Sequence, residues 1–319
     1  MYGVPVKTLL EAGVHFGHRA SRWNPKMAPF IFGKRNLIHI LDLKETLRGL
    51  IKACSFLQGM ASEGHKILFV GTKRQAQNLV ETEARKLEMP YVAERWLGGT
   101  LTNFTTIKSR VRRLEQLESM EQEGNFEGMS KSHMSRLMRE KRKIFRNLDG
   151  IRKLDGLPGA LVVVDPRKEK TAVNEAKKMG IPVVAILDTD CDPTLVDIPI
   201  PGNDDALRSI QVLLSKLSEA ISNGRQAHAQ FVAEEEKRRA DENRKRDEQK
   251  KAKLETQKKK AAEQAELDKI LKKAREERER RIIEEQGAQA REEEIPGEGP
   301  DSDLGETKPG PAGPEPIEG

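Results

Sequence analysis

The chain has 319 residues, 57 Lys+Arg against 51 Asp+Glu, and a net charge of +6. With 36% hydrophobic and 34% charged residues it is too polar to share one core, and its length suggests about two domains of roughly 100–200 residues. No apolar run reaches the roughly 20 residues of a membrane helix, the N-terminus lacks the basic-then-apolar order of a signal peptide, and two lone cysteines without a CxxC suit a reducing, cytoplasmic setting.

The charge is unevenly spread. Residues 1–224 hold 35 basic and 26 acidic side chains, net +9, while 225–294 hold 21 and 19. Residues 295–319 hold 1 basic and 6 acidic, and 12 of these 25 are Pro or Gly. A globular domain is therefore expected over 1–224, a charged extension over 225–294, and a disordered acidic tail over 295–319.

In chain order, two polar-basic loops come first. One is His18-Arg19-Ala20-Ser21-Arg22-Trp23-Asn24-Pro25-Lys26; the other is Phe32-Gly33-Lys34-Arg35-Asn36. Asp42 then suits an N-cap, and Leu43, Leu47, Leu50, Ile51, Cys54 and Leu57 recur at helical spacing. Residues 66–71 form a short apolar run that reads as a strand buried on both faces. Ala76, Leu79, Val80, Ala84 and Leu87 give the next helix, and residues 90–92 a weak strand. A third polar-basic loop follows, Arg95-Trp96-Leu97-Gly98-Gly99-Thr100-Leu101-Thr102-Asn103.

Residues 105–150 break the alternation. Ile107, Val111, Leu114 and Leu117 make one helical stripe, Gly124 and Gly128 interrupt it, and a second helix follows, so an αα-hairpin is expected. Residues 105–128 carry 4 basic and 5 acidic groups, residues 129–150 carry 7 and 2. The second helix, with Arg136, Arg139, Lys141, Arg142 and Lys143, is either a phosphate-facing surface or an ordinary solvated face. Strand and helix then alternate again: a strand at 160–165, a helix at 168–179 stopped by Gly180, a strand at 181–188, and a Pro-flanked edge strand at 198–201. Asp204 suits the cap of a helix from Ala206 to about Ser222. This order predicts an α/β domain with five mostly parallel strands. The extension repeats Glu–Arg pairs at i,i+4 but no lasting apolar stripe, which fits a lone marginal helix or disorder.

Catalytic signatures are missing from this frame. Val70-Gly71-Thr72-Lys73 matches neither GxGxxG nor GxxxxGK[ST], no GxSxG occurs, and His15 with His18 lacks a third metal ligand. Asp188, Asp190, Asp192, Asp204 and Asp205 gather at strand ends and suit either a hard cation or caps and turns. In the three loops, Arg and Lys suit phosphates, Asn, Ser and Thr suit phosphate and sugar, and exposed rings suit stacking. Three such loops in one basic domain without a catalytic signature favour a nucleic-acid binder.

Ten segments, in order, resemble one family. They include His15-Phe-Gly-His18, Trp23-Asn-Pro-Lys-Met27, Arg35-Asn36, Gly71-Thr-Lys73, the 95–103 loop, Val164-Asp-Pro-Arg-Lys168, Asp188-Thr-Asp-Cys-Asp-Pro193 and Ile200-Pro-Gly-Asn-Asp-Asp-Ala206. The resemblance, over about residues 3–225, is to the bacterial branch of the second protein of the small ribosomal subunit. It implies a flavodoxin-like five-stranded parallel sheet, with 105–150 as a protruding coiled coil braced against rRNA. It implies a place on the solvent side of the subunit, bridging head and body, and a part in docking the large mRNA-binding ribosomal protein number one. It implies no catalysis, and no cofactor, small-molecule substrate or membrane is expected, while Asp188, Asp190, Asp204 and Asp205 stay open as ligands for a Mg ion. The candidate rRNA contacts are His15, His18, Arg19, Arg22, Trp23, Asn24, Lys26, Lys34, Arg35, Lys73, Arg95, Trp96, Thr100 and Asn103, with the five cations of the second helix. Asp190 departs from the family pattern, which usually has Asn there, and residues 225–319 draw no function from the match.

Overall fold

A computed structural model describes residues 4–123 and 130–292. The expected glycine break at 124–128 and the acidic tail at 295–319 lie outside the described residues. Two compact units divide the chain, residues 1–238 and residues 239–319.

In the first unit the chain order is α1 (Val6–Glu11), β1 (Phe16–Arg19), β2 (Ile31–Arg35), β3 (Ile38–Leu41), α2 (Leu43–Ser62), β4 (Ile67–Val70), α3 (Arg74–Lys86) and β5 (Tyr91–Val92). It continues with α4 (Phe104–Gln122), α5 (Lys131–Leu148), β6 (Ala160–Val164), α6 (Lys170–Lys178), β7 (Val183–Leu187), β8 (Ile198–Pro201) and α7, which runs Leu207–Glu292. Strands β4 to β8 form a five-stranded parallel sheet in the order β5-β4-β6-β7-β8. That is the 2-1-3-4-5 flavodoxin-like order.

Period-two alternation divides the central strands between two cores. Ile67, Phe69, Val162, Val164, Val184 and Ile186 pack with α2, α3 and the first turns of α7. Leu68, Val70, Leu161, Val163, Val183 and Ala185 pack with α6 and with Ile107 and Val111 of α4. Both faces being covered explains why the strands read as continuous apolar runs. On α2, Asp42 is the cap, accepting from Lys44 N at 2.8 Å, while Ile51, placed on the apolar stripe by its spacing, is exposed.

Helices α4 and α5 lie between β5 and β6 and pack on each other. Leu114, Leu117 and Leu137 are buried there, and Arg113 meets Glu140 at 3.4 Å. Lys141 pairs with Glu121, and Arg152 holds Glu118 through two bonds of 2.7 and 2.8 Å.

Two elements differ from the sequence reading. The segments 18–26 and 32–36, read as loops, fall partly in a three-stranded antiparallel sheet of Phe16–Arg19, Ile31–Arg35 and Ile38–Leu41 in the order β1-β3-β2. Its hairpin closes through Asn36 and Leu37, at φ 48° and 61°, with Arg35 opposite Ile38. Two positive φ values mark the primed turn that matches strand twist, and leucine in its second position hides the usual Asn-Gly signal. The last helix, expected to end near Ser222, continues to Glu292. Gly224 is no stop: a Cβ there would lie 2.4 Å from the Gln58 carbonyl oxygen, so the glycine lets α7 pass close to α2. Beyond it, Arg225 donates to the Leu87 carbonyl and pairs with Glu88 at 2.8 Å, and His228 Nδ1 lies 3.1 Å from the Ser62 carbonyl.

In the second unit α7 continues with its described side chains exposed. Arg244 pairs there with Glu248 at 3.2 Å, an i,i+4 contact worth a few tenths of a kcal/mol on an open helix.

Candidate nucleic-acid interface

Five loops leave the C-terminal ends of the parallel strands: 71–73, 93–103, 165–169, 188–192 and 202–206. This edge is where open α/β sheets present ligand-facing groups. The small sheet is tied to it at β7. His18 N donates to Asp188 Oδ1 at 3.2 Å and to Thr189 Oγ1 at 3.0 Å, and Asn24 N donates to the Thr189 carbonyl at 2.8 Å. Beneath the junction Met27 and Leu41 pack with Leu187 and Cys191.

The aspartates of the edge are neutralised by the chain itself. Lys73 Nζ lies 2.7 Å from Asp204, 2.5 Å from Asp205 and 3.5 Å from Asp165. His18 Nδ1 lies 2.8 Å from Asp188, and its Nε2 3.3 Å from Asp205. Lys26 pairs with Asp192 at 2.6 Å, and Arg167 pairs with Asp190, the residue that departs from the family pattern. Asp204 is not the helix cap; Asn203 Oδ1 accepts instead from Asp205 N at 2.8 Å and Ala206 N at 3.0 Å. Burial, with the charges of Asp165 and Asp188, pushes the Asp204 carboxyl up to about 7 against the pull of Lys73. Hydrogen bonds donated by Lys26 and Thr194 hold Asp192 at about 2. His18, Asp188 and Asp204 offer ligand atoms within 4.8 Å of one another, as do Asp165, Cys191 and Asp204, and these are the groups a cation could use.

His18 gives the cluster a pH dependence. Its hydrogen bond to Asp188, opposed by burial and reinforced by Asp188, Asp190 and Asp204, raises the imidazole from 6.5 to about 9. A base stabilised in its protonated form contributes fully below pH 6.5, and that contribution is lost as pH rises through 9. Thermal unfolding should therefore show stability falling as pH rises across this window. Asp204, raised in the folded state, acts in the same direction at lower pH. His18→Asn should flatten the upper part of the curve, and an unchanged curve would contradict the assignment.

The structure thus sorts the candidate residues. His18 and Lys73 turn toward the buried Asp188 and Asp204, which need counter-charges that the sequence does not advertise, and the exposed Lys26 pairs with Asp192 at the surface. Asn24 accepts from Lys26 N at 3.0 Å and caps the turn Pro25–Phe30. His15 is half-buried, and desolvation lowers its pKa. Trp96 and Thr100 point inward: Trp96 Nε1 donates to Glu175 at 3.1 Å, and Thr100 Oγ1 to the Leu97 carbonyl at 2.6 Å. Both shape their loop from within, a role their polar groups alone do not distinguish from ligand contact.

The outward set is Arg19, Arg22, Trp23, Lys34, Arg35, Arg95 and Asn103. Arg19 and Arg35 both stand opposite Ile38, on either side of β3. Cross-strand partners share a face, so the two side chains start about 10 Å apart on one surface. Trp23 is 37% exposed and stacks on His39 at 5.0 Å between centroids. On α5, Arg136, Arg139, Arg142 and Lys143 are exposed, while Lys141 is half-buried against Glu121. Arg139 and Arg142 donate to the carbonyls of Ser135 and Met138, one turn back on the same helix.

Two glutamates were missed by the sequence reading. Glu169 accepts from Thr72 N at 2.8 Å and Thr72 Oγ1 at 2.6 Å, fixing the 71–73 loop. Glu175 accepts from the 96–102 loop. The available signal was a glutamate on the apolar stripe of α6, beside Ala172, Val173 and Ala176.

Comparison with known proteins adds an independent line. The family model described as "Ribosomal protein S2" matches residues 9–224. The "Small ribosomal subunit protein uS2" of Rhodopirellula baltica is 55% identical over 220 residues, covering 69% of this chain and 85% of that protein. The chain belongs to the ribosomal protein S2 family, structural components of the small ribosomal subunit of the cytoplasmic ribosome.

Proposed function

We propose that this chain fastens rRNA within the small subunit through two basic surfaces of one rigid body. The first is the outward set on the small sheet and the 95–103 loop; the second is the exposed face of α5. The observation that carries this is the sorting of charge. The aspartates of the sheet edge are matched by His18, Lys26, Lys73 and Arg167, whereas Arg19, Arg22, Lys34, Arg35 and Arg95 are exposed and available to phosphates. Each phosphate neutralised releases a condensed counterion, which favours binding at low salt. Two surfaces on one body make the second contact intramolecular, which suits a bridge between the head and body of the subunit.

The paired helices α4 and α5 act in this reading as the brace against rRNA, and the assembled face helps dock the mRNA-binding ribosomal protein number one. The function is structural and not enzymatic. Lys73 is held by Asp165, Asp204 and Asp205 at the strand ends, so these charges are satisfied within the chain, which supports that reading. The test is sedimentation of the tagged full chain. It should run with small subunits at low salt. Migration as free protein at low salt would contradict the proposal.

A further inference from the structure

We propose that Glu175 is the positioning residue of the RNA-facing loop, holding Arg95–Asn103 in its binding conformation from beneath. The proposal rests on the reading of that loop as an rRNA contact.

Glu175 lies on α6 and is 9% exposed. Its Oε1 accepts from Trp96 Nε1 at 3.1 Å and from Gly99 N at 2.8 Å. Its Oε2 accepts from Leu101 N at 3.0 Å and from Thr102 N and Oγ1, both at 3.3 Å. One side chain from a different element thus gathers five donors from a seven-residue stretch. Gly99, at φ +90°, supplies the left-handed turn that directs its N–H to the carboxylate. The loop closes on itself above, with Thr100 N donating to the Leu97 carbonyl at 3.1 Å and Asn103 N to the Gly99 carbonyl at 2.8 Å. Arg95, Gly98, Thr102 and Asn103 remain exposed.

The arrangement requires an acceptor on both oxygens. Burial opposes the charge, but the bonds from Gly99, Leu101, Trp96 and Thr102 outweigh it and hold the Glu175 carboxyl below its ordinary value. Glutamine would supply one acceptor oxygen and aim an NH2 group at donors, leaving some of them unmet. An isolated loop rich in glycine would have to be ordered on binding; here the ordering is already done in the free protein.

The test is a double-mutant cycle on the full chain, reading rRNA affinity at fixed salt well below the melting temperature. Arg95→Gln probes the loop itself, and Glu175→Gln probes its support. The expected result is a loss of about tenfold for Glu175→Gln, and a double variant no weaker than that single variant. If Arg95→Gln weakens binding while Glu175→Gln changes only the melting temperature, or if the two losses add, the positioning role is overturned. If Arg95→Gln has no effect, the rRNA reading of the loop fails and the proposal fails with it. Should Glu175→Gln not fold, Trp96→Phe removes one of the five donors and keeps the ring. It should reproduce a smaller loss, about threefold, that also fails to add to Arg95→Gln. Full affinity in Trp96→Phe, or additive losses, would then overturn the role.

Discussion

Raising salt from about 50 to about 200 mM should weaken binding of the full chain to small-subunit rRNA of order a thousandfold, the response expected for about six phosphate contacts. The motive is the net charge of +9 on residues 1–224, together with the outward set of arginines and lysines. The cations paired within the chain contribute less, since His18, Lys26 and Lys73 already have carboxylate partners. Filter binding or fluorescence titration across the salt range measures the effect. A flat response would mean that affinity comes from base stacking or shape, and would remove the electrostatic mechanism.

The second large effect is on stability. Lys73→Met should cost the domain about 3–5 kcal/mol, because it strips the cation from carboxylates buried at the sheet edge. Asp204 is 1% exposed, and Lys73 stands within 3.5 Å of three aspartates. At about 2–4 °C per kcal/mol for a domain of this size, the melting temperature should drop by about 6–20 °C. Adding Asp204→Asn to Lys73→Met should restore part of the loss, since it removes the charge left stranded. A single variant melting within about 2 °C of the parent would show that the cluster does not depend on Lys73.

The central sheet was legible because its strands are buried on both faces, so apolar runs such as Ala160–Val164 stand out against amphipathic helices. The small sheet was not. Its strands are 4 or 5 residues long and carry exposed basic side chains, and its turn is Asn36-Leu37. Arg19, Lys34 and Arg35 masked the strand pattern there. The overrun of α7 had a different cause. The apolar stripe ends near Ile221, and only the close passage of α2 reveals why a glycine sits at 224 within the helix.

For the interface, residue chemistry indicated that cations were available but not which way they face. Lys73 and Asp204 are 131 positions apart, and His18 and Asp188 are 170 apart. Pairings at that separation are fixed by topology, so a local motif cannot report them. The same holds for Glu175, whose partners lie more than 70 positions earlier.

The most direct test of the account compares salt slopes of rRNA binding for the parent chain and two fourfold variants. One carries Arg19→Gln, Arg22→Gln, Lys34→Gln and Arg35→Gln; the other carries Lys250→Gln, Lys251→Gln, Lys258→Gln and Lys259→Gln on the far part of α7. The first should show a slope shallower by about 3–4 units, near 0.9 for each phosphate no longer neutralised, and the second a slope close to the parent's. A first variant with the parent's slope, or a second with the larger change, would contradict the placement of the phosphate-binding side chains on the small sheet.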